Sequence, residues 1–279
     1  MLLYHATSRY VYPLFRLIPL FLILFFNFRR QLRIDPFSRN LRYNSAVIKK
    51  QQDRTAIRKG NNMKNDLTEL VFILDMSGSM EHLTDDTVGG FNSVLKEHAD
   101  KEGEVLVTTY LFNNDSRMLH DRIPIRNVQP LTSADYRAAG CTALIDALGE
   151  AIQHIVSIHR YARPEDVPAH TVFVITTDGM ENASHRFSAP EVRRMVKHEQ
   201  EKYGWEFVFL AANIDAVETA ELYGIGRDRA VNYMADSVGT ANVYETVSNA
   251  VHSVRVGRPL CKDASWRENA DRDFQKRRK

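Results

Sequence analysis

The chain has 279 residues, 44% of them hydrophobic and 26% charged, with 13 Gly and 9 Pro. That is room for one large domain or two small ones, and it excludes a collagen-like, coiled-coil or wholly disordered chain. Two cysteines, Cys141 and Cys261, exclude a disulfide scaffold and a cysteine-rich zinc module. The net charge of +2 conceals two parts of opposite sign: residues 1–62 carry 12 Lys and Arg against two Asp, a net +10, which leaves −8 for residues 63–279.

Residues 1–62 read as a basic N-terminal extension around an apolar stretch, residues 10–28 (YVYPLFRLIPLFLILFFNF). A spanning helix takes about 20 apolar residues, and this stretch reaches that length if Arg16 snorkels to the interface. Arg29, Arg30, Arg33, Arg39, Arg42, Lys49 and Lys50 follow it, and such a cluster keeps the following chain in the cytoplasm. Three readings stand: a single membrane anchor, a cleaved signal (although no small-x-small site follows), or an extension without a folded role, the working chain starting near Met63. The expectation is a cytoplasmic domain, membrane-anchored if residues 10–28 span.

From residue 66 the pattern alternates. Leu70–Leu74 is an apolar run closed by Asp75, typical of a strand buried on both faces of a parallel sheet. Val88, Phe91, Val94 and Leu95 give residues 84–101 helical spacing, and Glu104–Phe112 is a second strand. Residues 116–126 read as a short edge hairpin, with Pro124 suited to an edge. An amphipathic helix is expected over 142–160, a strand over His170–Thr177, and a helix over 189–203 capped by Ser188 with Glu191. A strand at Trp205–Ala211, a short helix at 215–223, a last strand at Ala230–Tyr233 and a helix over 237–255 complete the pattern. Strands alternating with helices indicate a doubly wound, mostly parallel α/β sheet with helices on both faces, covering residues 66–255. Residues 257–279 read as a basic, solvated C-terminal tail.

Open α/β sheets bind ligands beyond the carboxyl ends of their strands. The first strand ends in Asp75-Met76-Ser77-Gly78-Ser79, the strand at 170–177 runs into Asp178-Gly179, and Thr142 precedes the long helix. Two carboxylates and three hydroxyls gather on one rim, with no sulfur or imidazole among them. That donor set selects a hard divalent ion such as Mg²⁺ over zinc or copper. Asp-x-Ser-x-Ser at a turn aims alternate side chains at one spot, and Gly78 lets the backbone bend. The bland reading makes Ser79, Asp85 and Thr142 helix caps, but it leaves two neighbouring carboxylates unexplained.

These residues resemble the metal-ion-dependent adhesion site (MIDAS) of the von Willebrand factor type A (VWA) domain: Asp75, Ser77 and Ser79 match its Asp-x-Ser-x-Ser, Thr142 its isolated Thr, and Asp178 its second Asp. The stretches TTDGMENAS and GCTALIDA are also similar to single-domain bacterial members, which implies a bacterial source. The resemblance implies a Rossmann-like fold and a site for Mg²⁺ or Mn²⁺ held by Asp75, Ser77, Ser79, Thr142 and Asp178. It further implies a non-catalytic module engaging a partner protein through a metal-bridged carboxylate. A metal-assisted phosphoester hydrolase and a helper subunit of a partner ATPase are the alternatives.

Other candidates carry less. Glu181 and Asn182 read as loop solvation, Asp146 as a first-turn acid or a residue orienting the site, and Cys141 as a packed free thiol. Gly224-Ile225-Gly226 stands in the wrong order for a dinucleotide loop, no P-loop occurs, and His154 and His159 are off the i, i+4 spacing of metal ligands. Residues 63–254 carry 16 basic and 29 acidic groups, a net −13, which opposes nucleic acid as a partner.

Overall fold

The computed structural model describes residues 66–278; the apolar stretch 10–28 and the start at Met63 lie outside them. Six strands form one sheet: β1 (Thr68–Asp75), β2 (Val105–Phe112), β3 (Ser116–Pro124), β4 (His170–Thr177), β5 (Glu206–Ala211) and β6 (Ala230–Asn232). Their spatial order is β3-β2-β1-β4-β5-β6, with every neighbouring pair parallel except β2–β3. Chain direction along the sheet reverses between β1 and β4, so the ends of these two strands flank the crevice where such sheets take ligands.

Six α-helices cover the faces: α1 (Thr84–Ala99), α2 (Leu144–Tyr161), α3 (Ala189–Tyr203), α4 (Ala216–Leu222), α5 (Ser237–Arg255) and α6 (Glu268–Arg277). The unbroken apolar run in β1 serves both. Leu70, Phe72 and Leu74 point to a core shared with Phe91 and Val94 of α1 and Val243, Val247 and Val251 of α5. Val71 and Ile73 point the other way, against Leu144, Leu148 and Ile152 of α2, Val192 and Val196 of α3, and Ala216 and Ala220 of α4. All five β1 residues are completely buried, each contributing about 1.5–3 kcal/mol of hydrophobic stabilisation. Helix α3 starts as its sequence predicts: the Ser188 N–H and hydroxyl both donate to Glu191 Oε2, at 2.9 and 2.6 Å.

Two expectations need correction. Residues 116–126 are not a hairpin in themselves; Ser116–Pro124 is one strand, and the hairpin is the pair β2–β3. Arg122, at φ +49°, kinks this edge, and Pro124 ends it. The stretch after residue 257 is not a solvated tail. Leu260, Trp266 and Ala270 are buried in the α1/α5 core, the Trp266 indole donates to the Leu260 carbonyl, and Arg277 bridges Asp236 and Asp273. Three of its arginines pair with acids one turn away, Arg267 with Asp271, Arg272 with Glu268 and Arg277 with Asp273, so a polar sequence still makes a helix. Among the described residues no helix is long and apolar enough to cross a membrane.

Candidate metal site at the β1/β4 switch point

Asp75 closes β1 and is fully buried. Its Oδ1 accepts the Ser77 N–H at 2.7 Å and its Oδ2 accepts the Thr177 hydroxyl at 2.6 Å, while its carbonyl accepts the Tyr136 hydroxyl. The carboxylate is thereby tied to the end of β4 from below. Ser77 Oγ and Ser79 Oγ lie 3.2 Å apart, and Ser79 Oγ donates to Asp178 Oδ1 at 2.6 Å. A Cβ built on Gly179 would stand 3.6 Å from Thr142 Oγ1 and 3.7 Å from Ser79 Oγ. Asp75, Ser77, Ser79, Thr142 and Asp178 therefore meet on one rim, drawn from three separate loops. Ser79 is the exposed member; the other four are buried.

The loops are fixed by backbone bonds. Gly78 N donates to the Gly140 carbonyl at 3.0 Å, Ala139 N to Met76 at 2.9 Å, and Ala143 N to Asn113 at 2.7 Å. Gly140 sits at φ +83°, and a Cβ there would fall 2.0 Å from Asn114 Oδ1, so this turn requires glycine. Asn114 Oδ1 accepts the Cys141 N–H at 3.0 Å. Cys141 is exposed rather than packed, which corrects the expectation for that thiol.

Thr142 does not cap the helix that follows it: α2 has Ala143 at its N-cap and no side-chain cap bond there. The first amides of α2 are served from across the chain instead. Glu181 Oε2 accepts Ile145 N at 2.8 Å, and Ser184 Oγ accepts Asp146 N at 3.0 Å. Asn182 clamps Thr142 from both sides, its Oδ1 accepting Thr142 N at 2.9 Å and its own N–H donating to the Thr142 carbonyl at 3.0 Å. Asp146 accepts the amides of His185, Arg186 and Phe187, with shortest contacts of 2.9, 2.9 and 2.8 Å. Glu181 and Asn182 are thus not loop solvation: Asn182 holds Thr142 and Glu181 the first turn after it, while Asp146 fixes the loop that follows them, as the orienting one of its two readings expects. The bonds run from side chain to distant backbone amides, so no side-chain spacing marks them; the one cue in the sequence is three polar residues crowded just after Asp178.

Electrostatically the site is short of positive charge. Burial pushes the Asp75 carboxyl up to about 6, against hydrogen bonds from Thr177 and Ser77 that lower it, and the nearby Asp178 raises it further. Asp178 Oδ2 is buried and has no hydrogen-bond partner among the described residues. A buried carboxylate oxygen without a donor is costly, and a cation is the group that would relieve it. Among the described residues no cluster of three or more His, Cys, Asp or Glu is placed to hold a metal. The site here holds two carboxylates and three hydroxyls, and that all-oxygen set fits a hard divalent ion.

Neither the models of known protein families nor the curated protein sequences give a match to this chain. Solved structures do. The pilus adhesin SpaC from Lactobacillus rhamnosus GG matches with a TM-score of 0.52 and 13% identity, over 68% of this chain and 31% of that one. A von Willebrand factor type A protein from Catenulispora acidiphila matches with a TM-score of 0.45 and 14% identity, over 65% and 42%. Proximal thread matrix protein 1 of the mussel byssus, solved with a zinc-occupied MIDAS motif, gives 0.49 and 12%, over 66% and 48%. This chain spans less than half the length of each. The structures it is similar to include VWA domains, and the fold of this chain is the doubly wound α/β sheet with one antiparallel edge strand.

Proposed function

We propose that this domain is a non-catalytic protein-binding module that uses a Mg²⁺ or Mn²⁺ ion to engage an acidic side chain of a partner. The observation that carries the reading is the convergence of five oxygen-bearing side chains at the β1/β4 switch point, with Asp178 Oδ2 buried and without a partner among the described residues. Ser77, Ser79, Thr142, Asp75 and Asp178 would hold the ion; bound there, it would supply a Lewis-acidic position for a carboxylate. Ser79 presents its hydroxyl at the surface while Asp178 orients it. Thr177 and the Ser77 amide hold Asp75 in place, so the donor set is fixed before any ion arrives.

A hydrolytic role is less well supported. Turnover of a phosphoester needs a general base beside the metal. Glu181 is consumed by amides, and the His82 ring lies between the backbone carbonyls of Ser79 at 2.8 Å and Ala235 at 3.3 Å. We place the domain in the cytoplasm on its two free, exposed cysteines and on the basic residues that follow residues 10–28; the same stretch would be its membrane anchor.

Mn²⁺ titration followed by electron paramagnetic resonance tests the site. One ion per chain is expected, with affinity at least tenfold lower in Thr142→Ala and in Ser79→Ala. Unchanged affinity in both variants refutes the assignment. Hydrolysis of p-nitrophenyl phosphate by the wild type, abolished in Asp178→Ala, would move the conclusion to the hydrolase.

A further inference from the structure

Helix α3 carries an irregularity in its buried stripe. Val192, Val196 and Glu199 follow one another at helical spacing and are its three buried residues. Glu199 is 5% exposed, yet its carboxylate has no hydrogen-bond donor among the described residues. Among the described residues the one group within ion-pair distance is the His198 ring, at 4.0 Å, and burial lowers the pKa of that ring, which favours its neutral form. The Lys202 ammonium lies over the Tyr203 ring, 5.3 Å from its centroid. Burial pushes the Glu199 carboxyl up to about 7, with Lys202 and Arg160 acting from farther off to lower it.

Glu199 lines a groove of about 410 Å³ between α2 and α3. Ile152, Val156 and Met195 form its apolar wall, and Gln153, Arg194 and His198 its polar edge. It starts about ten residues along α2 from Thr142, roughly 15 Å of helix, so it is separate from the rim at the β1/β4 switch point.

We propose that this groove is a second binding site, for a small organic cation: a primary ammonium or guanidinium group on a short alkyl stem, with Glu199 as counter-ion. The chemistry narrows the choice. Arg194 is exposed at the groove's edge, whereas the buried charge an anion would meet is the Glu199 carboxylate. A hard metal ion needs several oxygen ligands, and the groove offers one carboxylate and one amide oxygen. An uncharged apolar ligand would bury the carboxylate further without giving it a donor. An alkylammonium brings N–H donors to the carboxylate and lays its methylenes on Ile152, Val156 and Met195.

The test uses the full chain in metal-free buffer, with methyl-labelled methionine. The probes are n-butylammonium, n-butylguanidinium, 1-butanol and an acetylated, amidated Gly-Lys-Gly peptide. A saturable shift of the Met195 methyl resonance with the two cations is expected, and none with butanol. Affinity should fall at least tenfold in Glu199→Gln, which keeps the side-chain shape, and in Val156→Trp, which fills the groove and leaves the charge. Three results each overturn the proposal: no Met195 response to either cation, equal affinity in both variants, or binding of the lysine peptide alone. The last would make the groove a protein contact.

Discussion

Replacing Asp178 by Asn separates the metal-binding role proposed for this residue from its role in the fold. In the metal-free chain Asp178 places a second negative charge close to the buried Asp75, and its Oδ2 has no donor among the described residues. Asn keeps an oxygen to accept from Ser79, whose hydroxyl lies 2.6 Å from Oδ1, and it removes the like charge. In chelator, Asp178→Asn should therefore match the wild type or exceed it by up to about 1 kcal/mol. With Mg²⁺ the order reverses. A ligand at a hundred times its dissociation constant stabilises the folded state by about 2.7 kcal/mol. For a domain of this size that is roughly 5–10 °C in Tm. Asn contributes a neutral oxygen where Asp contributes a charge, so most of this gain should vanish in the variant. Differential scanning calorimetry of both proteins, in chelator and across a Mg²⁺ series, reads the crossing directly. If the variant is destabilised in chelator and still gains the wild-type increment from Mg²⁺, Asp178 is a structural residue and the site is misassigned.

Three further outcomes follow from the packing. Asp146→Ala should strip the acceptors from the amides of His185, Arg186 and Phe187, costing about 2–4 kcal/mol in urea unfolding and weakening Mn²⁺ binding although Asp146 is no proposed ligand; intact affinity would mean the loop does not position Thr142. Gly90→Ala should cost about 1–3 kcal/mol, because its Cβ would fall 2.1 Å from Tyr244 Cδ2 and force α1 from α5; a neutral result by thermal melt would count against tight α1–α5 packing. His98 is fully buried and its pKa is depressed to about 4, by burial first and then by Lys101 and Arg255. The unfolded chain takes up that proton at higher pH than the folded one, so stability present above about 6.5 should fall by about 2 kcal/mol as pH drops toward 4. His98→Gln should flatten that slope in urea melts run between pH 7 and 4, and an unchanged slope would assign it to other groups.

The order of elements and the five rim residues were legible for a physical reason. A parallel sheet buries both faces of its strands, so β1 writes an uninterrupted apolar run, and Asp75 and Asp178 stand at the ends of β1 and β4, with Thr142 just before α2. Glu181 and Asn182 were not legible in role, because they bind backbone amides 36 and 40 residues away, and a backbone amide has no letter in the sequence; for Asp146 the orienting reading was open beside that of a first-turn acid, and the amides it holds, up to 41 residues away, decide for it. Helix α6 was hidden by composition: Leu260, Trp266 and Ala270 anchor a segment that is otherwise polar, with i, i+4 ion pairs such as Arg267–Asp271 and Arg272–Glu268. Glu199 could have been found, since it stands seven residues after Val192 on the apolar stripe of α3, where a charge is out of place.

Residues 183–187 belong to no helix or strand, yet each of their five consecutive amides donates to the carboxylate of Glu181 or Asp146. Irregular backbone of this kind is as tightly tethered as a ladder of paired strands, and its tethers are ionic. Docking against such a rim requires little ordering of the loop, because its conformational freedom was surrendered when the domain folded. An encounter that finds the right chemistry can then be brief in forming without being loose once formed.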